Sequence, residues 1–234
     1  MVATGKYLIV NADDFGQSEA INAGVVQSHT EGIVTSASLM VRFPAARQAA
    51  ELARSHPELT VGLHFDLGEW SFDGNAWRSV YTVADDQNEK AVEAEVASQL
   101  AEFRRLMGCN PTHIDSHQHV HLTQPTRRIL RNAAKELGIP LRGVDGISYR
   151  GDFYGQTAKG EPALETITVQ ALIDFLASLQ PGTTELGCHP GLEDPTLSSM
   201  YSVERPIEVR TLCDPRVREA IDSNGIALRS FADV

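Results

Sequence analysis

Residues 113–121 read His113-Ile114-Asp115-Ser116-His117-Gln118-His119-Val120-His121, so four of the chain's eight histidines fall within nine residues, at alternating positions beside an aspartate. Alternate side chains of an extended strand share a face. A strand persisting through this run would put His113, Asp115, His117, His119 and His121 on one side. So many polar groups on one face need partners, and a metal ion is the partner that a short histidine-rich tract suggests first.

Other polar residues gather where strands are expected to end. Asp13-Asp14 follow the run 6–12, His64 and Asp66 close 60–66, Asp115 and His117 close 112–117, and His189 follows 183–188. In α/β barrels and open α/β sheets alike, sites are built at that edge. Each residue alone has a plainer role: Asp13 or Asp14 could cap the next helix, and a single histidine could be hydrogen-bonded in a core. Four strand ends with the same character favour a common site. One carboxylate and two imidazoles from separate strands leave open positions on a divalent ion, which catalysis requires. Such an ion acidifies water and polarises a carbonyl, and a neighbouring aspartate is a natural general base. Adjacent residues of an extended segment point apart, so a ligand and a base at positions 13 and 14 demand a bend, for which Phe15-Gly16 provides.

Short runs at 6–12, 33–40, 60–66, 112–117, 139–143, 183–188 and 225–228, several of them apolar, read as strands. Helices are predicted from Ser18 to about Gly32, at 44–56, at 88–107 with Gly108 as the stop, from Thr123-Pro125 to Gly138, at 168–179 and at 216–223. The segments 67–87, 144–163 and 189–202 read as long loops. This alternation, without a linker or composition break, predicts one α/β domain over 1–234: a (β/α) barrel of about seven parallel strands, with an open doubly wound sheet as the rival. No GxGxxG or Walker sequence supports nucleotide binding.

The 234 residues are 42% hydrophobic and 22% charged, as in ordinary globular proteins, and the net charge of −11 argues against nucleic acid or an anionic membrane as a partner. No segment reaches transmembrane length, and the apolar run Tyr7–Val10 is too short for a signal sequence. Three cysteines without CxxC spacing suggest free thiols and a cytoplasmic location. Cys188 and His189 are adjacent on a strand and point apart, which disfavours a nucleophile and base and favours a buried structural cysteine.

Three motifs carry a family resemblance: Asn11-Ala12-Asp13-Asp14-Phe15-Gly16, Gly62-Leu63-His64, and Pro111-Thr112 running into the histidine-rich stretch. In order and spacing, from residue 6 to about 143, the chain resembles the YdjC-like carbohydrate deacetylases. Gly187-Cys188-His189-Pro190-Gly191 resembles a late motif of that family. The resemblance implies a barrel related to polysaccharide deacetylases and removal of an N-acetyl group from an acetamido sugar or oligosaccharide. It implies one divalent ion held by Asp14, His64 and His117, Asp13 as general base, and His189 as the acid for the leaving amine. Magnesium and zinc are the alternatives for the ion, with ligand softness favouring zinc, iron or cobalt. His113 and Asp115 would support a ligand by hydrogen bonds. His119, beyond the strand, would touch substrate, with solvation the alternative for it and for His121. Arg142 would partner substrate or Asp13, or form a structural ion pair. Trp70, Phe72, Trp77 and Tyr81, then Tyr149, Arg150, Phe153 and Tyr154, would pack on sugar rings or on protein, and they permit a homodimer. The rivals are a metal-dependent hydrolase of another amide or ester on this scaffold, and a non-catalytic metal- or sugar-binding protein.

Overall fold

The computed structural model describes residues 5–144, 146–195 and 199–234. Its centre is β1 (Lys6–Phe15), in which every residue from Leu8 to Phe15 is buried, the pattern of a strand covered on both faces. β8 (Gly182–Cys188) pairs with β1 from Lys6 to Ala12. On the other edge, β9 (Ile226–Arg229) pairs with its first half and β2 (Ser36–Leu39) with its second. β3 (Thr60–Phe65) and β6 (Ile114–Ser116) continue beyond β2, and β7 (Ser148–Arg150) beyond β8. All of these pairings are parallel. The order β6–β3–β2–β1–β8–β7 leaves two edges unpaired with each other among the described residues. The expected (β/α) barrel of about seven strands is therefore a curled, incomplete one. Arg142 displays the curl: its backbone N–H donates to the carbonyl of Ile114 on β6, while its guanidinium reaches Glu185 on β8.

The connecting helices are α1 (Glu19–Thr30), α2 (Ala46–Ser55), α3 (Glu89–Met107), α4 (Thr126–Leu137), α5 (Val169–Ser178), α6 (Arg205–Leu212) and α7 (Pro215–Ser223). Ser18 caps α1 through the Ile21 N–H, and Gly108 and Gly138 end α3 and α4 at φ of 75° and 69°, a conformation that glycine takes without steric cost. None of the helices among the described residues is long and apolar enough to cross a membrane.

Four expectations need correction. The stretch 67–87 is not a simple loop: β4 (Gly68–Phe72) and β5 (Trp77–Thr82) form an antiparallel hairpin, turned by Asp73, whose Oδ1 accepts from the Asn75 and Ala76 N–H groups. The second loop contains β7. The strand expected at 139–143 shrinks to one bridge between Leu141 and Ile114, because Gly143 at φ 69° turns the chain away. α6 was not anticipated. Its buried side carries Arg205, Glu208 and Thr211 beside Val209 and Leu212, so the apolar stripe that announces a helix is broken by charge.

Candidate metal and catalytic site

The bend demanded at the end of β1 lies at Asp14 itself, with φ 64°, followed by Gly16 at φ 95°. Aspartate is among the few side chains that enter the left-handed region at modest cost. The pairing with β2 slips between Ala12 and Phe15, and the Gly16 N–H donates to Asn22 Oδ1 on α1 at 2.7 Å. Strand alternation is thereby broken, and the buried side chains of Asp13 and Asp14 line one cavity of about 450 Å³.

His64 and His117 meet Asp14 there. His64 Nε2 lies 3.4 Å and His117 Nδ1 3.1 Å from the same oxygen, Asp14 Oδ1. The three side chains' candidate donor atoms lie within 4.8 Å of one another. Donors about 2.0–2.2 Å from a common ion would be separated by roughly 3.0–3.5 Å, so the set fits a divalent cation. His117 Nε2 is buried with no hydrogen-bond partner. His64 Nδ1 is 2.7 Å from Asp115 Oδ1, the arrangement that turns Nε2 of a ligating histidine toward a metal. Asp14's other oxygen is 2.6 Å from Arg205. Burial opposes ionisation of Asp14, yet Arg205 and the two imidazoles hold it well below the usual carboxylate range. Asp13, His64 and Asp115 form a second cluster, but guanidinium nitrogens of Arg142 lie 2.7 Å from both of its carboxylates, and a second cation there would be repelled.

Arg142 binds Asp13 with two nitrogens at 2.7 Å, and Asp115 and Glu185 at 2.7 Å each. Burial raises Glu185 to about 7 despite this contact. It also opposes ionisation of Asp13, but Arg142 prevails and lowers that carboxyl. Behind this network Ser38 Oγ donates to Asp115 Oδ2 at 2.6 Å and accepts from Asn11 at 2.7 Å. His113 Nε2 is 2.9 Å from the same hydroxyl, and the ring stacks on Phe231. His113 therefore supports Asp115 through Ser38 and does not face the cavity; burial lowers it to about 3, which keeps it neutral. A Cβ on Gly62 would lie 2.4 Å from the His113 ring. Gly62→Ala is expected to destabilise the fold by about 2 kcal/mol through this overpacking, lowering the melting temperature by roughly 4–8 °C. An unchanged melting temperature would show that the ring moves freely.

β6 stops at Ser116. Gln118 and His119 then turn left-handed, at φ 48° and 55°, so the five-residue face expected of a continuing strand does not form. His117 turns to Asp14, His119 lines the cavity beside Tyr149, and His121 is buried with Nδ1 2.6 Å from Ser116 Oγ. His121 is thus neither solvated nor a substrate contact.

His189 follows β8, with Nε2 3.8 Å from Asp13 Oδ2 and Nδ1 buried without a partner. Burial lowers it to about 4, so its ring is neutral near neutral pH. Its backbone N–H donates to Glu208, which also accepts from the Tyr201 hydroxyl. Its carbonyl accepts from Arg205 at 3.2 Å. Arg205, Glu208, Ser38 and Glu185 were not anticipated from sequence. Of the aromatic residues, Trp70, Trp77, Tyr149, Phe153 and Tyr154 line the cavity, whereas Phe72 packs on Trp77 and the Tyr81 hydroxyl donates to Asp66.

The curled parallel sheet with its site at the strand ends is the fold of polysaccharide deacetylases. A structure of such an enzyme from Bacillus cereus superposes with a TM-score of 0.55 at 16% identity, over 96% of this chain and 91% of that one. More particularly, the chain belongs to the YdjC-like protein family, whose profile matches residues 7–223. It is 33% identical to a chitooligosaccharide deacetylase of Klebsiella pneumoniae, over 98% of this chain and 99% of the relative. A crystal structure from Enterococcus faecalis, provisionally described as a cellobiose-phosphate cleavage protein, superposes with a TM-score of 0.80 at 26% identity, over 98% of this chain and 99% of that chain.

Proposed function

We propose that this protein is a metal-dependent carbohydrate deacetylase that hydrolyses the acetamide of an N-acetylated sugar. The observation that carries the reading is the convergence of Asp14, His64 and His117 beside Asp13, which stands outside that triad and is clamped by Arg142. A spare carboxylate at such a site suits catalysis better than storage, which favours saturated coordination. The kinship with a chitooligosaccharide deacetylase supports the substrate class.

Asp14, His64 and His117 would hold the ion, and two imidazoles favour zinc or a similar transition metal over magnesium. When bound, such an ion supplies Lewis acidity toward the acetyl carbonyl and toward water. Asp13, kept ionised by Arg142, takes the proton of the attacking water as its oxygen bonds to the acetyl carbon. His189 is held neutral by burial, so it must receive a proton before it gives one. Its Nε2 lies 3.8 Å from Asp13 Oδ2, longer than a hydrogen bond, so the proton taken by Asp13 passes to His189 once the two groups close on the substrate, and from there to the departing nitrogen. The C–N bond breaks, and acetate and a free amine result. Arg205 holds Asp14 Oδ2 and the His189 carbonyl, tying the ligand to the acid.

The test is acetate release from N-acetylglucosamine oligomers by zinc-loaded, chelated and reloaded protein. Turnover is expected to fall at least a hundredfold on chelation and in His117→Ala, given the several kcal/mol of transition-state stabilisation such an ion supplies, and to return on reloading the wild type. Chelator-insensitive release would overturn the metal mechanism; no release from any acetamido sugar would overturn the deacetylase reading.

A further inference from the structure

Glu69 stands apart from the other acidic groups of the cavity. Asp13 is matched by Arg142 and Asp14 by Arg205. Glu69 also lines the cavity and is only 7% exposed. Among the described residues its carboxylate has no hydrogen bond or ion pair. Neither of its oxygens is a fully buried, unpartnered atom, so the carboxylate opens onto the cavity it lines. An ionised carboxylate only accepts, so what it lacks is an O–H or N–H donor, and the cavity is where one could enter.

The hairpin is built to hold it there. The β4–β5 pairing is irregular between Glu69 and Trp70, and such a bulge re-aims a side chain. Gly68, at φ 145°, runs so close to the partner strand that a Cβ would lie 2.6 Å from the Tyr81 carbonyl. Gln118 then clamps the hairpin to the turn that carries His117: its Oε1 accepts from the Trp70 N–H at 3.0 Å and its Nε2 donates to the Trp70 carbonyl at 2.8 Å. Glu69 is thus fixed relative to His117, and Trp70 beside it and Trp77 across the hairpin supply apolar faces for a sugar ring.

We propose that Glu69 is a specificity-determining residue, accepting hydrogen bonds from hydroxyls of the sugar beside the acetamido group and restricting the substrate to uncharged acetamido sugars. The inference rests on the deacetylase reading and names its substrate class. A sugar phosphate would bring like charge against a carboxylate that has no cation within ion-pair distance among the described residues, unlike the phosphorylated disaccharide in the description of the Enterococcus structure.

The experiment compares N,N′-diacetylchitobiose with its 6-phosphate on the zinc-loaded protein and on Glu69→Gln. Acetate release gives kcat and KM, and the fluorescence of Trp70 and Trp77, the chain's two tryptophans, reports binding without turnover. The wild type is expected to favour the uncharged sugar at least tenfold. Glu69→Gln is expected to raise KM for the uncharged sugar about tenfold, the loss of one charge-assisted hydrogen bond, and to erase the discrimination while zinc content stays at one per chain. Equal losses on both sugars, loss of zinc, a wild-type preference for the phosphate, or no binding of either sugar would overturn the proposal. Binding with the same Glu69-dependent discrimination but no acetate release would overturn the deacetylase reading and leave the role of Glu69 standing.

Discussion

Asp13→Asn is expected to lower kcat for acetate release by roughly a hundred- to ten-thousand-fold, the contribution of a general base, with zinc still bound. The substitution removes the proton acceptor and keeps the volume. Asp14, His64 and His117 are untouched, and His64 keeps its 2.7 Å contact with Asp115. The Asn11 amide, which donates to Asp13 Oδ1 at 2.8 Å, can still find a carbonyl oxygen there. Arg142 loses one anionic partner and retains Asp115 and Glu185. Metal analysis beside a kinetic assay separates the outcomes. Wild-type turnover would remove Asp13 from the base role, and loss of zinc would make it a determinant of the metal site. Because Arg142 lowers the Asp13 carboxyl, a base at this position would be ionised near neutral pH but intrinsically weak. The acidification of water by the ion is what would make so weak a base sufficient.

The parts of this arrangement that follow short-range rules were legible in the sequence. β1 and β3 are buried, largely apolar strands and β8 a buried mixed one, and Asp13, Asp14, His64 and His189, at or just past the C-terminal ends of these strands, are brought to one cavity. The need for a bend at Asp13-Asp14 followed from strand alternation, although it falls on Asp14 rather than on the glycine after it. The shared face that alternation implies for the histidine-rich run does not form. Alternation holds only while the backbone is extended, and the left-handed Gln118 and His119 send His117, His119 and His121 to three different surroundings. Arg205 and Glu208 were not legible, because a helix that buries charge shows no apolar stripe and because their partners, Asp14 and the His189 backbone, lie far away in sequence. Nor was the isolation of Glu69, which is a property of the hairpin's bulge and of Gln118's clamp.

Arg142 is where the same long-range pairing has its largest consequence for stability. Its side chain is fully buried and is the shared cation of Asp13, Asp115 and Glu185, which come from three different strands. Arg142→Met would keep most of the volume and leave these carboxylates facing one another without it. Removing one partner of a buried ionic cluster costs about 3–5 kcal/mol, or a fall in melting temperature on the order of 10 °C for a chain of this size. Arg142→Lys keeps the charge but not the planar fork that reaches several carboxylates at once, so its melting temperature is expected to lie between those of Arg142→Met and the wild type. Burial already holds Glu185 near 7, so this is the carboxylate that protonates most readily when the guanidinium goes. Adding Glu185→Gln to Arg142→Met should therefore recover part of the loss, whereas in the wild type Glu185→Gln removes an attractive contact and should not stabilise. Thermal unfolding of the wild type, Arg142→Met, Glu185→Gln and the double variant tests this coupling: an Arg142→Met melting temperature equal to that of the wild type would show that the three carboxylates do not depend on the arginine, and the sheet's two open edges would need another brace.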